Sequence, residues 1–221
     1  MTRRLTVEWP DGAPFRNRSL PIRFLAVSDE PDRTLEHEVN RRNIGHLDAI
    51  LSCGDLEPDW LSFLGDAFSV PLVRVLGNHD RDHPDLEQVV PHPLRASVTS
   101  RFPVPLVGLS WAGEAPVRGD RSAWAQALRI TCARLLRPGA VLVASHVPPT
   151  GAGDGPDPYH RGYDAYRWLV NRLRPPLWLH GHTTLASTEN WQATLNGTLV
   201  VNVTGSVLVE LVAPQAASSI R

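Results

Sequence analysis

From Ile22 onward the chain alternates short apolar runs with stretches of helical period. Ile22–Val27, Ala49–Cys53 and Leu72–Leu76 are too short for helices and end in Ser, Gly, Asp or Asn, so each predicts a buried strand. Between them, Thr34–Leu47 and Trp60–Phe68 read as helices. This alternation predicts a parallel sheet with crossover helices. The stretch from Pro84 to Arg101, punctuated by Pro84, Pro91 and Pro93, reads as loop. Val104–Leu109 and Val141–Ala144 read as strands. Asp120–Arg137 is the strongest helix: Trp124, Leu128, Cys132 and Leu135 share a face, and Pro138-Gly139 stops it. Gly151–Gly162 is a loop rich in glycine and proline, followed by a helix over Tyr163–Leu173. Leu199–Val203 and Val207–Val212, joined at Thr204-Gly205-Ser206, predict an antiparallel hairpin, which makes the topology mixed. Residues 1–20 look like a peripheral N-terminal extension, and no composition shift divides residues 1–221 into more than one domain.

Composition narrows the classes. The 221 residues carry a net charge of −1, so nothing favours a protein that coats nucleic acid or a membrane surface. All 22 basic residues are arginine, a bias that acquires meaning only where arginines gather in a site. The two cysteines, Cys53 and Cys132, make no disulfide framework and read as core thiols. No apolar stretch is long enough to span a bilayer, and Met1-Thr2-Arg3-Arg4 does not open a signal peptide, so a cytoplasmic location is expected.

The chemistry lies where the strands end. Ser28-Asp29-Glu30, Cys53-Gly54-Asp55, Gly77-Asn78-His79-Asp80, Ser145-His146 and His180-Gly181-His182 each follow an apolar run. They offer carboxylate, amide and imidazole donors, the set of a hard or borderline divalent metal. In open α/β sheets ligands sit beyond the carboxyl ends of the strands, so these groups can converge. Such a metal neutralises the oxygens of a phosphate ester and lowers the pKa of bound water. Gly54 leaves room for close backbone approach beside Asp55, the natural carboxylate to bridge two ions.

In order and spacing these blocks resemble the calcineurin-like metallophosphoesterase family over residues 22–212. The Ser-Asp-Glu first block is similar to that of a bacterial subgroup. The resemblance implies an α/β fold, a four-layer α/β/β/α sandwich with mixed sheets. It implies a phosphoesterase that attacks a phosphomonoester or phosphodiester with metal-activated hydroxide. It implies that Asp55, Asn78, His146 and His182 hold one metal, and that Asp29 and Asp55 take part in a second. His79 matches the family's general acid or transition-state donor, and Asp80 the group that orients it. Two positions depart from the pattern. Pro31 and Thr184 stand where the second metal would have imidazole ligands. Three repairs are the alternatives: Glu30 or Asp32 supplies oxygen donors, His160 swings in from the following loop, or the centre holds one tight metal and one weaker one. Manganese is the favoured ion, with zinc, iron, nickel or magnesium as alternatives.

The loop Gly151–Gly162 has no Gly-Lys-Ser/Thr and is not a P-loop. His160 and Arg161 are expected to line the substrate side. His180, two residues before His182, is expected to share its face as a supporting residue. A small phosphate ester or nucleotide is favoured as substrate over long nucleic acid. The contrasting reading is a metal-binding or regulatory module of the same fold with weakened catalysis. Oligomeric state stays open.

Overall fold

A computed structural model describes residues 2–80, 85–90, 92–113, 118–135, 138–183 and 191–214. Eleven strands form two mixed sheets among these residues. The first joins β1 (Arg3–Glu8), β2 (Ile22–Ser28), β3 (Ala49–Ser52), β4 (Leu72–Arg74) and β11 (Gly205–Val212) in the order β1-β11-β2-β3-β4. The second joins β5 (Ser97–Thr99), β6 (Leu106–Leu109), β7 (Leu142–Ser145), β8 (Leu177–His180), β9 (Gln192–Leu195) and β10 (Thr198–Asn202) in the order β5-β6-β7-β8-β10-β9.

Side-chain alternation shows how the layers stack. On β2, Phe24 and Ala26 enter a cluster shared with Leu106, Leu142, Leu177 and Val201 of the other sheet. Leu25 and Val27 point the opposite way, into a cluster with Ile44 of α1 (Glu38–Ile44) and Trp60, Leu61 and Leu64 of α2 (Pro58–Phe68). On β7, Leu142 and Ala144 face the first sheet. Val143 packs with α4 (Arg118–Leu135) and α5 (Asp164–Leu173) through Ala127, Ile130, Tyr166 and Leu169. Three apolar cores thus separate four layers, helices outside and sheets inside, as the resemblance implies. Strands buried on both faces lack polar alternation, which is why their sequences are continuous apolar runs. A one-turn helix, α3 (Leu86–Val89), packs near α2. No helix among the described residues is long and apolar enough to cross a membrane.

Several expectations are corrected. The first residues are not peripheral: β1 pairs in parallel along β11, and Trp9 is fully buried. Leu199–Val203 and Val207–Val212 do not form a hairpin, because β10 and β11 lie in different sheets. The antiparallel partner of β11 is β2, and that of β10 is β9, across a tight turn at Asn196-Gly197 with both φ angles positive. That turn dipeptide suits a hairpin closely. The proline-punctuated stretch contains α3 and β5, the latter antiparallel to β6. Its residues 84 and 91 lie outside the described residues.

The face of α4 is also reversed. Ala123, Ala127 and Ile130 are buried, whereas Trp124, Leu128, Cys132 and Leu135 are exposed. Cys132 is therefore no core thiol; Cys53 is. Small residues at one helical spacing let α4 sit close to its neighbours, and that closeness outranks the larger apolar stripe. Trp124 instead lies against Trp168 of α5, with ring centroids 5.5 Å apart.

This orientation gives a measurable contrast. Ala127→Leu is expected to destabilise the protein by about 1–3 kcal/mol through overpacking. Leu128→Ala, at a residue 54% exposed, should change stability by no more than ~0.5 kcal/mol. Urea denaturation of the two variants checks it; the opposite order would turn the helix over.

Candidate functional site

Parallel pairing of β2, β3 and β4 brings their carboxyl ends to one edge of the first sheet. Parallel pairing of β6, β7 and β8 does the same in the second. Asp29 follows β2 directly, Asp55 lies just beyond β3, Asn78 beyond β4, His146 directly after β7 and His182 just beyond β8. The two sheets meet at this rim. His146 Nδ1 bonds the Cys53 carbonyl across them at 2.8 Å, and His182 N–H donates to the Asp29 carboxylate at 3.0 Å.

Asp29, Asp55 and His146 present ligand atoms that all lie within 4.8 Å of one another. Nε2 of His146 is 3.2 Å from Oδ2 of Asp55 and 2.8 Å from Oδ1 of Asn78. The other ring nitrogen, Nδ1, donates to the Cys53 carbonyl at 2.8 Å. His182 is held similarly. Its Nε2 donates to the Tyr159 carbonyl at 2.8 Å, which leaves Nδ1 with the free lone pair. A carbonyl partner on one nitrogen orients the ring and frees the other for a metal. Asp29, Asp55 and His146 therefore fit a divalent cation, with Asn78 at hydrogen-bond distance from His146 and the His182 ring centroid 5.0 Å from that of His146, outside the triad.

The backbone is shaped for this approach. Asp29, Asp55 and His182 all adopt left-handed φ angles, 59°, 57° and 68°. Such angles cost about 1–3 kcal/mol each and gather at functional sites. Gly77 is obligatory, because a Cβ there would overlap Oδ1 of Asp55. The Asp29 carboxylate accepts from His182 N–H at 3.0 Å and from the Thr204 hydroxyl at 3.1 Å.

Asp80 does not orient His79. Its carboxylate accepts from the amides of Asp55, 3.1 Å, and Gly77, 2.8 Å, and so ties two donor-bearing loops together. His79 is exposed, and its own N–H donates to Oδ1 of Asp55 at 2.8 Å. His79 lines a cleft of about 490 Å³ with Asn78, Trp111, Tyr159, Arg161 and His182. Arg161 borders this cleft, with its guanidinium on Asp164 at 3.1 Å. His160 does not line this cleft. Its Nδ1 is paired with Asp157 at 2.7 Å, and its ring centroid is 5.7 Å from that of His182.

The residue of that loop that engages the donors is Tyr159. Its hydroxyl accepts from Asn78 Nδ2 at 2.9 Å while its carbonyl holds His182. The sequence singles out Tyr159 only as the neighbour of His160. His180 and His182 do not share a strand face, since β8 ends at His180 and the chain then turns left-handed. His180 is fully buried and bonds the Gly181 carbonyl at 2.9 Å. Of the substitute donors, Asp32 is spent on Thr2, Thr34 and Ser206. Glu30 is exposed. Thr184 and His83 lie outside the described residues.

Charge is unevenly shared. Burial raises the pKa of Asp29 above the carboxylate range, and Asp55 adds to the effect despite the opposing charge of His146. Burial would also raise Asp55, but the hydrogen bond and charge of His146, with help from His79, hold it low. Burial disfavours the His146 imidazolium, yet the bond to Asp55 and the charges of Asp29 and Asp55 outweigh it and raise its pKa to about 9. Burial and the charge of His146 push His182 down to about 4. At neutral pH, without metal, His146 therefore carries a proton and His182 does not.

A metal ion must displace that proton. Binding at pH 7 is expected to release about one proton, and affinity to rise about tenfold per pH unit from pH 7 until it levels near pH 9. Calorimetry in buffers of different ionisation enthalpy measures the release. Proton-neutral binding at pH 7 would remove His146 from the ligand set.

Comparison with known proteins places this arrangement. None of the curated proteins compared matches the chain. One crystal structure superposes with a TM-score of 0.63 at 15% identity, over 86% of this chain and 95% of the other. TT1561 of Thermus thermophilus superposes with a TM-score of 0.56 at 18% identity, over 84% and 90%. A putative 5'-nucleotidase from Staphylococcus aureus, in complex with alpha-ketoglutarate, gives 0.53 at 13% identity, over 84% of this chain and 49% of that one. At these identities the likeness is one of fold. The family model for calcineurin-like phosphoesterases matches residues 29–184, a span that begins at Asp29 and contains every donor gathered at the rim. With most of its length and its whole donor set inside that match, the chain belongs to the calcineurin-like phosphoesterase family.

Proposed function

We propose that the protein is a metal-dependent phosphoesterase acting on a small phosphomonoester or phosphodiester, a nucleotide included. One observation carries this reading: Nε2 of His146 faces both Asp55 and Asn78 while its Nδ1 is anchored to a backbone carbonyl. Asp55, Asn78, His146 and Nδ1 of His182 would hold one divalent ion. Asp29 and Asp55 would hold a second more weakly, because Pro31 brings no imidazole. Oxygen donors dominate this set, which favours manganese over softer ions. Once bound, the metal supplies charge neutralisation and a water made acidic enough to serve as nucleophile.

The chain's own residues do the rest. Asp55 accepts the His79 amide and so sets that imidazole at the cleft wall, where it donates a proton to the leaving oxygen. Arg161 lies on the same wall, and exchanging Asp164 for the ester would neutralise a phosphate oxygen. Tyr159 braces Asn78 and His182 and closes one side of the cleft. A cleft with one arginine in a chain of net charge −1 suits a compact ester better than a long polyanion.

Chromogenic phosphomonoester and phosphodiester substrates, assayed with manganese, zinc, nickel and magnesium, test the reading. Asp55→Asn and His146→Ala should each lose at least about a hundredfold in turnover, and His79→Ala about 10²–10⁴-fold at retained metal content. Wild-type turnover no higher than that of Asp55→Asn with every metal would leave the alternative, a binding or regulatory module. Arg161→Ala is expected to raise KM about tenfold with a smaller change in kcat.

A further inference from the structure

A second cavity, of about 500 Å³, is bordered by Asp80 and Gly77. We propose that it binds a small organic phosphate, with the anionic head on an arginine cluster and the organic body on an apolar wall. Its volume falls in the range of small-molecule sites. It is distinct from the cleft: Trp111 is the one residue common to the two linings.

Arg74, Arg95 and Arg129 border the cavity. The Arg74 side chain, on β4, is only 2% exposed. Its Nε donates to the Val90 carbonyl at 2.7 Å and its Nη2 to Glu87 at 3.1 Å. Its Nη1 is buried and has no acceptor among the described residues. A buried charged donor left unmatched is costly, so the site is incomplete as it stands. Gln126 of α4 borders the same cavity, and it is unmatched in the opposite sense. Its Nε2 donates to the Ser110 carbonyl at 2.9 Å, while Oε1 is buried without a donor. Both unmatched atoms belong to residues that border the cavity, where a ligand offering acceptor oxygens and a hydroxyl would settle beside them.

The charge balance favours an anion. Arg95 and Arg129 are exposed and make no ion pair among the described residues. Of the two carboxylates on the walls, Asp80 is occupied by two backbone amides. Glu87 is 56% exposed and already paired with Arg74. Planar guanidinium groups bind phosphate oxygens well, and three of them border this cavity. Trp111, Leu86, Ala96 and Ala125 supply the apolar wall. Nothing in this proposal requires turnover, so it stands or falls separately from the function proposed above.

Phenylphosphonate is a suitable probe, because its carbon–phosphorus bond is not an ester. Calorimetric titration of the full chain is expected to show saturable binding. The double variant Arg95→Ala/Arg129→Ala, at exposed positions, should bind about tenfold more weakly or worse. Arg161→Ala, in the cleft, should keep the saturable site that the double variant loses, whatever binding the cleft itself adds in the wild type. Arg74→Met should abolish binding, with circular dichroism as a check on its fold. The proposal is overturned if the probe does not bind, if the double variant binds normally, or if Arg161→Ala alone abolishes binding. Inorganic phosphate binding as tightly as phenylphosphonate would overturn the organic class of ligand.

Discussion

Two carboxylates brought together at a buried rim repel each other, so the rim needs positive charge between them. Asp29 and Asp55 come from adjacent parallel strands whose ends cannot be moved apart without breaking the sheet. His146, from the other sheet, supplies the positive charge in the metal-free protein and a neutral nitrogen once a metal takes its place. The same three groups therefore close the seam between the sheets and define the metal position. This coupling makes occupancy of the site and cohesion of the fold parts of one electrostatic problem.

The loops that carry these groups are held by means the sheets alone do not supply. Three donors adopt left-handed backbone angles, and close approach at Gly77 and Gly181 leaves no space for a side chain. Asp80 offsets part of that strain by accepting from the amides of two loops at once. Its place is structural as much as chemical, since removing the carboxylate would free the segments bearing Asp55 and Asn78 together. The raised pKa of Asp80, due first to burial, fits a group whose bonds come from backbone amides more than from neighbouring cations.

Two cavities lie near these loops, each with its own character. The cleft combines imidazoles, an amide and a single arginine with the aromatic ring of Tyr159. The second cavity is rich in arginine and poor in imidazole. The chain's use of arginine as its sole cationic residue type gains meaning in the second cavity, where a buried guanidinium retains an unmatched N–H. Trp111 forms a wall of both.

The sequence by itself determined the strands β2, β3, β4, β6 and β7 and the polar blocks that follow them. Apolar runs ending in Asp, Asn or His can be read because burial and the strand-end rule act locally along the chain. It did not determine that β10 and β11 part into separate sheets, since two apolar strands and a turn are equally consistent with a hairpin. Nor did it reveal the buried face of α4, where the closeness allowed by Ala123 and Ala127 outweighs the larger residues. The place of Tyr159 over Asn78 and the diversion of Asp80 from His79 were likewise decided only in three dimensions. Hydrogen bonds between residues far apart in the chain depend on how the layers meet, and that geometry is set by the packing of both sheets together, not by any one segment's pattern.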